Sequence, residues 1–221
     1  MNRQQEIVAV LTGDIIASSE LSSETRESLP VSLSSIFERM HELLNIASGQ
    51  RHEFQIFRGD SFQGLLRNAG KAFDAALAIR STLRHHSEIE TEHMIDCRIS
   101  IGIGSVDFLP ARSGEGDGEA FRLSGRHLDS FKKHRSLGIV TPDKDRNGEF
   151  EAECALADFI ISRWTANQAE IIPMLLEGKT QTEIASELGI AQSAVSYRVK
   201  SSGWHSLNAM RSRFIEVISQ I

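Results

Sequence analysis

The chain is poor in several residue types, and each scarcity excludes something. It has 2 cysteines in 221 residues, Cys97 and Cys154, too few for a disulfide framework or a cysteine-built metal centre. Both lie in apolar patterns, one strand-like and one helical, so both read as buried thiols of a reducing compartment, the cytoplasm. No apolar run approaches the roughly 20 residues of a membrane span, so no membrane partner is expected. The N-terminus is polar up to Glu6, without the charged and apolar regions of a signal peptide. Proline occurs 4 times, tyrosine once and tryptophan twice. With 40% hydrophobic and 24% charged residues, the composition is that of a globular protein with one medium and one small unit.

The net charge of −6 is unevenly spread. Residues 167–221 hold five Lys/Arg and five Asp/Glu, so the first 166 carry the whole excess. Within that neutral tail no acid lies between Leu188 and Ile215, while Arg198, Lys200, Arg211 and Arg213 do. A locally basic face on an acidic protein suits nucleic acid, and equally suits ordinary charge scatter on a solvated helix.

Periodicity gives the elements. Ile7 to Thr12 is a short apolar strand, followed by a polar loop over Ala17 to Arg26. Helical spacing runs from Val31 to about Ala47. Phe54–Phe57 and Phe62–Leu66 are extended runs around Arg58-Gly59-Asp60-Ser61, a hairpin signal. Lys71 to Arg84 is helical, its apolar stripe interrupted once by Arg80. Cys97 to Gly104 alternates as a strand. Asp107 to Gly118 is a glycine-rich loop, Glu119 to about Lys133 a helix, and Ser136 to Thr141 a strand. A charged loop from Asp143 to Phe150 and a helix from about Ala152 to Arg163 follow. The order βαββαβ, then αβ, predicts a ferredoxin-like α+β fold: an antiparallel sheet with helices on one face. The expected division is residues 1–145, a connector over 146–166, and an all-α tail over 167–221.

Two aspartates stand at strand ends, Asp14 after Val8-Ala9-Val10-Leu11-Thr12-Gly13 and Asp60 in the Gly-Asp turn. Paired carboxylates at a sheet edge suit a magnesium or manganese ion carrying a triphosphate; each also has the plainer explanation of a turn or hairpin cap. Arg122 and Arg126, one helical turn apart, suit phosphate contacts or surface ion pairs. His85, His86 and His93 match no standard ligand spacing.

In the tail, Thr180 and Glu183 form a capping-box pattern. Ala185, Gly189, Ile190 and Val195 fall where a helix-turn-helix needs a small crossing residue, a positive φ and a core. Gln192, Ser193, Ser196 and Tyr197 would face base edges, and Arg198 and Lys200 phosphates of double-stranded DNA. This pattern resembles region 4 of sigma factors and the output domains of response regulators. The stretch Trp204 to Ile221 reads as an amphipathic helix that covers the motif or forms a dimer seam.

The first 140 residues resemble the class III nucleotidyl cyclases and, more remotely, the GGDEF and polymerase palm domains. Four segments carry this in order: Leu11 to Ile16, Arg58 to Phe62, Arg98 to Gly104 and Gly118 to Arg126. The chain is also similar to a shorter bacterial group of SatD-like proteins. The resemblance implies a metal site of Asp14, Asp60 and the Ile15 carbonyl. It implies nucleotide contacts from Gly59, Ser61, Glu115 and Arg122, catalytic roles for Arg126 and Arg122, and a homodimer with sites at its interface. The family's asparagine falls on Arg122, and its base-reading lysine on Ile56. The resulting expectation is a DNA-binding transcriptional regulator whose first domain binds a nucleotide or cyclic nucleotide with a divalent metal. The alternative is a divergent cyclase that makes a cyclic nucleotide, with the tail as a regulatory or localising module.

Overall fold

A computed structural model describes residues 6–44, 52–57, 59–90, 94–107 and 116–221. Five strands form one sheet: β1 (Ile7–Ile15), β2 (His52–Phe57), β3 (Ser61–Leu66), β4 (Cys97–Ser105) and β5 (Leu137–Val140). Their order is β2-β3-β1-β4-β5. The first four are mutually antiparallel, and β5 joins β4 in parallel. The ferredoxin-like order is therefore present, while the expected wholly antiparallel sheet gains a parallel edge. The connection from β4 to β5 runs through α3 (Glu119–Asp129), a crossover that brings a strand back in the same direction.

Helices cover both faces rather than one. Helices α1 (Ser23–Leu43) and α2 (Ala72–Glu90) bury Ala9, Leu11, Ile99 and Ile101 on one side. On the other, α3 packs Ala120 and Phe121 onto Val8, Val10 and Leu65. The cause is in β1, whose consecutive apolar residues leave both faces needing cover. A Cβ on Gly102 would lie 2.4 Å from the Ala120 carbonyl, so α3 can approach β4 this closely only over a glycine.

Two stretches read as loops are helical. Helix α1 begins eight residues before Val31, at Ser23, because the Ser22 hydroxyl accepts the Thr25 N–H at 3.1 Å. The charged segment after Asp143 forms the first turns of α4 (Lys144–Ile161), capped by the Asp143 carboxylate on the amides of Asp145 and Arg146. Such caps satisfy amides that a helix start leaves unpaired.

The tail consists of α5 (Ala166–Leu176), α6 (Gln181–Leu188), α7 (Gln192–Ser201) and α8 (Trp204–Ile218). The Thr180–Glu183 capping box forms, and Gly189 adopts φ 65° between α6 and α7, where a side chain would be strained. These helices share a core with the sheet instead of standing apart. Helix α5 lies along α2, Phe214 packs against Phe73 and Phe150, and Arg211 grips the buried Asp74 through two hydrogen bonds of 2.5 and 3.0 Å. The Trp164 indole N–H donates to the Ser202 carbonyl at 2.7 Å, and Trp204 is buried beside that junction. Helix α8 thus turns its apolar face inward. No described helix is long and apolar enough to cross a membrane.

A carboxylate pair at the sheet edge

The two aspartates stand on neighbouring strand ends, as their sequence positions demand. Asp14 lies opposite Ser61 on β3 and opposite Arg98 on β4. The Ile15 amide donates to the Asp60 carbonyl at 2.9 Å, so the Gly59–Asp60 turn, with Gly59 at φ 82°, folds back against the end of β1. Both carboxylates are held. Arg98 donates through Nε to Asp14 Oδ1 at 2.7 Å and through Nη2 to Oδ2 at 2.5 Å. Asp60 accepts from Ser18 Oγ at 2.8 Å and from Ser61 Oγ at 3.1 Å. The hydrogen bond to Asp14 is the main cause that raises the Arg98 pKa above its ordinary value, so its charge is fixed. Nothing in the pattern reading singled out Arg98 beyond its place in a strand. Its direct register with Asp14 was the available signal.

Among the described residues no three His, Cys, Asp or Glu side chains converge on one point. The chain supplies two carboxylates and two hydroxyls, a set of hard oxygen donors. Such a pair suits Mg²⁺ or Mn²⁺ shared with the phosphate oxygens of a ligand, not an all-protein cage. The fit carries one condition: Arg98 must leave Asp14 before that carboxylate can bind a cation.

Helix α3 runs with its first turn near Ser105 and its last near the Asp14 end of the sheet. The Thr12 and Ser124 hydroxyls lie 2.8 Å apart, and Ser100 Oγ lies 3.1 Å from His127 Nδ1. Burial lowers the pKa of His127, which favours a neutral ring. Arg122 sits two residues before Ser124, on the opposite, exposed side of α3 and away from the carboxylates. It is exposed and bound to Asp117 at 2.8 Å and to Asp107 at 3.3 Å. In the free chain it bridges the end of β4 and the start of α3. Arg126 is exposed, with no ion pair to a described residue. Glu115, Arg58 and His93 lie outside the described residues.

A second charged cluster is buried between the strand edge and the tail. Arg80, 1% exposed, binds Asp96 through Nε and Nη2 at 2.9 and 2.7 Å and Asp158 through Nη1 at 2.5 Å. Burial pulls the Arg80 pKa down, but Asp96 and Asp158 more than reverse that and leave it raised. Arg84 adds a hydrogen bond to Asp96 and donates to the carbonyls of Ser162 and Trp164. Asp158 accepts from the amides of Ser136 and Leu137. The arginine that interrupts the α2 stripe was the sequence signal for this cluster. Cys97 and Cys154 are free, buried thiols whose pKa values burial pushes up, as inert thiols require.

On α7, Gln192, Ser193, Ser196, Tyr197 and Lys200 are exposed, while Val195 and Val199 face inward. Arg198 differs from its expected role as a phosphate contact. It turns back to Glu170 on α5 at 2.5 Å, and Glu170 also lies 3.9 Å from His85 on α2.

Among solved structures the chain is similar to a bacterial light-regulated adenylyl cyclase, at 22% identity and a TM-score of 0.45 over 62% of this chain and 76% of that one. It is also similar to the guanylyl cyclase Cya2, at 16% identity and a TM-score of 0.38 over 63% and 77%. No curated protein matches. The SatD family matches residues 7–216, nearly the whole chain, and the protein belongs to that family.

Proposed function

We propose that the edge bearing Asp14, Asp60 and Arg98 binds a nucleoside triphosphate with a divalent cation, as a divergent site of the nucleotidyl-cyclase kind. The observation that carries this is the juxtaposition of two carboxylates and one arginine on three neighbouring strand ends. Asp14 and Asp60 would hold the cation, and Ser18 and Ser61 keep the Asp60 carboxylate oriented. When bound, the cation supplies Lewis-acid polarisation of the phosphate. Arg98, released from Asp14, then has a free two-pronged donor face beside the phosphate oxygens, the geometry in which arginine binds them most strongly. Cyclisation would join the ribose 3′-oxygen to the α-phosphorus and release pyrophosphate. This ranks the enzyme-type reading above the regulator that the sequence placed first.

The test is incubation of the purified chain with each ribonucleoside triphosphate and Mg²⁺ or Mn²⁺, read by chromatography, with Asp60→Ala as control. A product absent from the control supports the proposal. Absence of both product and metal-dependent nucleotide binding by calorimetry overturns it.

The exposed outer face of α7 favours a second reading, that the tail contacts double-stranded DNA. Tyr197 is 72% exposed there, beside Gln192, Ser193 and Ser196. With Arg198 committed to Glu170, Lys200 is the phosphate contact. Fluorescence anisotropy on a duplex should show weaker binding and a salt slope lower by about 1 for Lys200→Ala; equal binding by wild type and variant removes the reading.

A further inference from the structure

Helix α4 is apolar on two opposite sides. Its inner side buries Phe150, Cys154, Ala157 and Ile161 against the core. Its outer side exposes Leu156 and Phe159 at 69% and 59%. An apolar stripe on a helix normally faces a packing partner. The outer residues also follow a strict spacing. Within α4, Asp145, Glu149, Ala152, Leu156 and Phe159 recur at alternating steps of four and three, the seam pattern by which one helix packs along another, and Arg163 continues the spacing in the turn just past the helix. Gly148, Ala155 and Ser162, all exposed, flank the seam at seven-residue steps and leave room for close approach.

The seam is self-complementary. Its N-terminal end is acidic and its C-terminal end basic, with apolar residues between. An antiparallel pairing of two such helices, centred between Ala155 and Leu156, sets Ala152 against the partner's Phe159, a small residue facing a large one. The same pairing sets Glu149 opposite the partner's Ser162, one residue and about 1.5 Å of helix rise from the partner's Arg163, within reach of the two long side chains. In the single chain Arg163 stands 3.4 Å over the ring of Phe159, covering part of the apolar face. Alongside lies a depression of about 300 Å³, with Ala155, Ser162 and Arg163 in its wall, where a partner's Leu156 has space.

We infer that α4 is an interface between two copies of this chain, related by a two-fold axis across the helix. The surface is isologous, so one patch serves both subunits. It lies beside β5 at the margin of the sheet, separate from the carboxylate pair, and does not depend on the nucleotide reading.

The experiment is analytical ultracentrifugation of the full chain over a concentration series, with thermal melts as a check on folding. The wild type is expected to sediment as a dimer, and Leu156→Glu as a monomer with an unchanged melt. Glu149→Arg and Arg163→Glu should each weaken the dimer tenfold or more, and the two together should restore most of it. A monomeric wild type overturns the inference, as does a dimer unaffected by Leu156→Glu or a double exchange that fails to recover association.

Discussion

Asp96, just before β4, and Arg98, at its start, stand two residues apart, and each belongs to an arginine–aspartate cluster, yet the clusters differ in kind. Around Asp96, Arg80 is 1% exposed, and its carboxylate partners are each tied to further donors. Around Arg98, the two side chains are 38% and 23% exposed and hold each other, with Asp129 near enough to add to the pull on Arg98. A buried charge stripped of its partner has no water to turn to, so the inner cluster is a structural pin. The outer pair can exchange partners with little loss, because solvent screens both members. The same chemistry thus gives a fixed joint and a replaceable contact, and burial decides which.

Substitutions can break that contrast in order of expected effect. Arg80→Met leaves Asp158 without its cation and Asp96 with Arg84 alone, and should cost about 3–5 kcal/mol in urea unfolding; a loss near zero would mean that water reaches the cluster. Asp158→Asn keeps a similar shape but removes one ion pair and weakens the acceptor of two amides. Its expected cost is about 1–3 kcal/mol, also read by urea unfolding. Arg98→Ala should change stability by at most about 1 kcal/mol. Its signature is in binding: by calorimetry, Mn²⁺ alone binds more tightly once Asp14 is free, while a triphosphate with Mn²⁺ binds less tightly. Loss of both affinities would make Arg98 a scaffold instead.

The smallest effect concerns His127. Burial lowers its pKa in the folded chain from the ordinary 6.5, so below that value the unfolded chain binds the extra proton and the fold does not. Stability from this group is therefore present above about pH 6.5 and falls as pH drops through and below it. Thermal melts between pH 7 and 5 should show a shallower decline in His127→Gln than in the wild type. Identical slopes would remove the histidine from the account.

Much of the fold was legible because short-range signals suffice for it. The apolar run in β1, the Gly-Asp turn and the capping box at Thr180 each specify their element locally. The positions of Asp14 and Asp60 followed, since a hairpin fixes register. What escaped depended on partners far along the chain. Arg80 reads as a flaw in a helical stripe until Asp158, 78 residues later, is folded against it. Arg122 and Arg198 have the composition of phosphate contacts, and only the folded chain shows Asp117 and Glu170 already holding them. The missed helical turns after Ser22 and Asp143 had capping residues in plain view. Serine-rich and charged composition hid them, because those residues suit loops as well as caps.

The Trp164–Ser202 hydrogen bond has a practical corollary. Both tryptophans and the single tyrosine, Tyr197, fall between residues 164 and 204, so ultraviolet emission registers the tail and its junction with α2, while no tryptophan or tyrosine lies on the sheet. Circular dichroism registers the backbone of both parts. If the shared core makes the chain one cooperative unit, the two unfolding curves coincide; if the tail melts first, the emission curve leads and measures its docking on α2 directly.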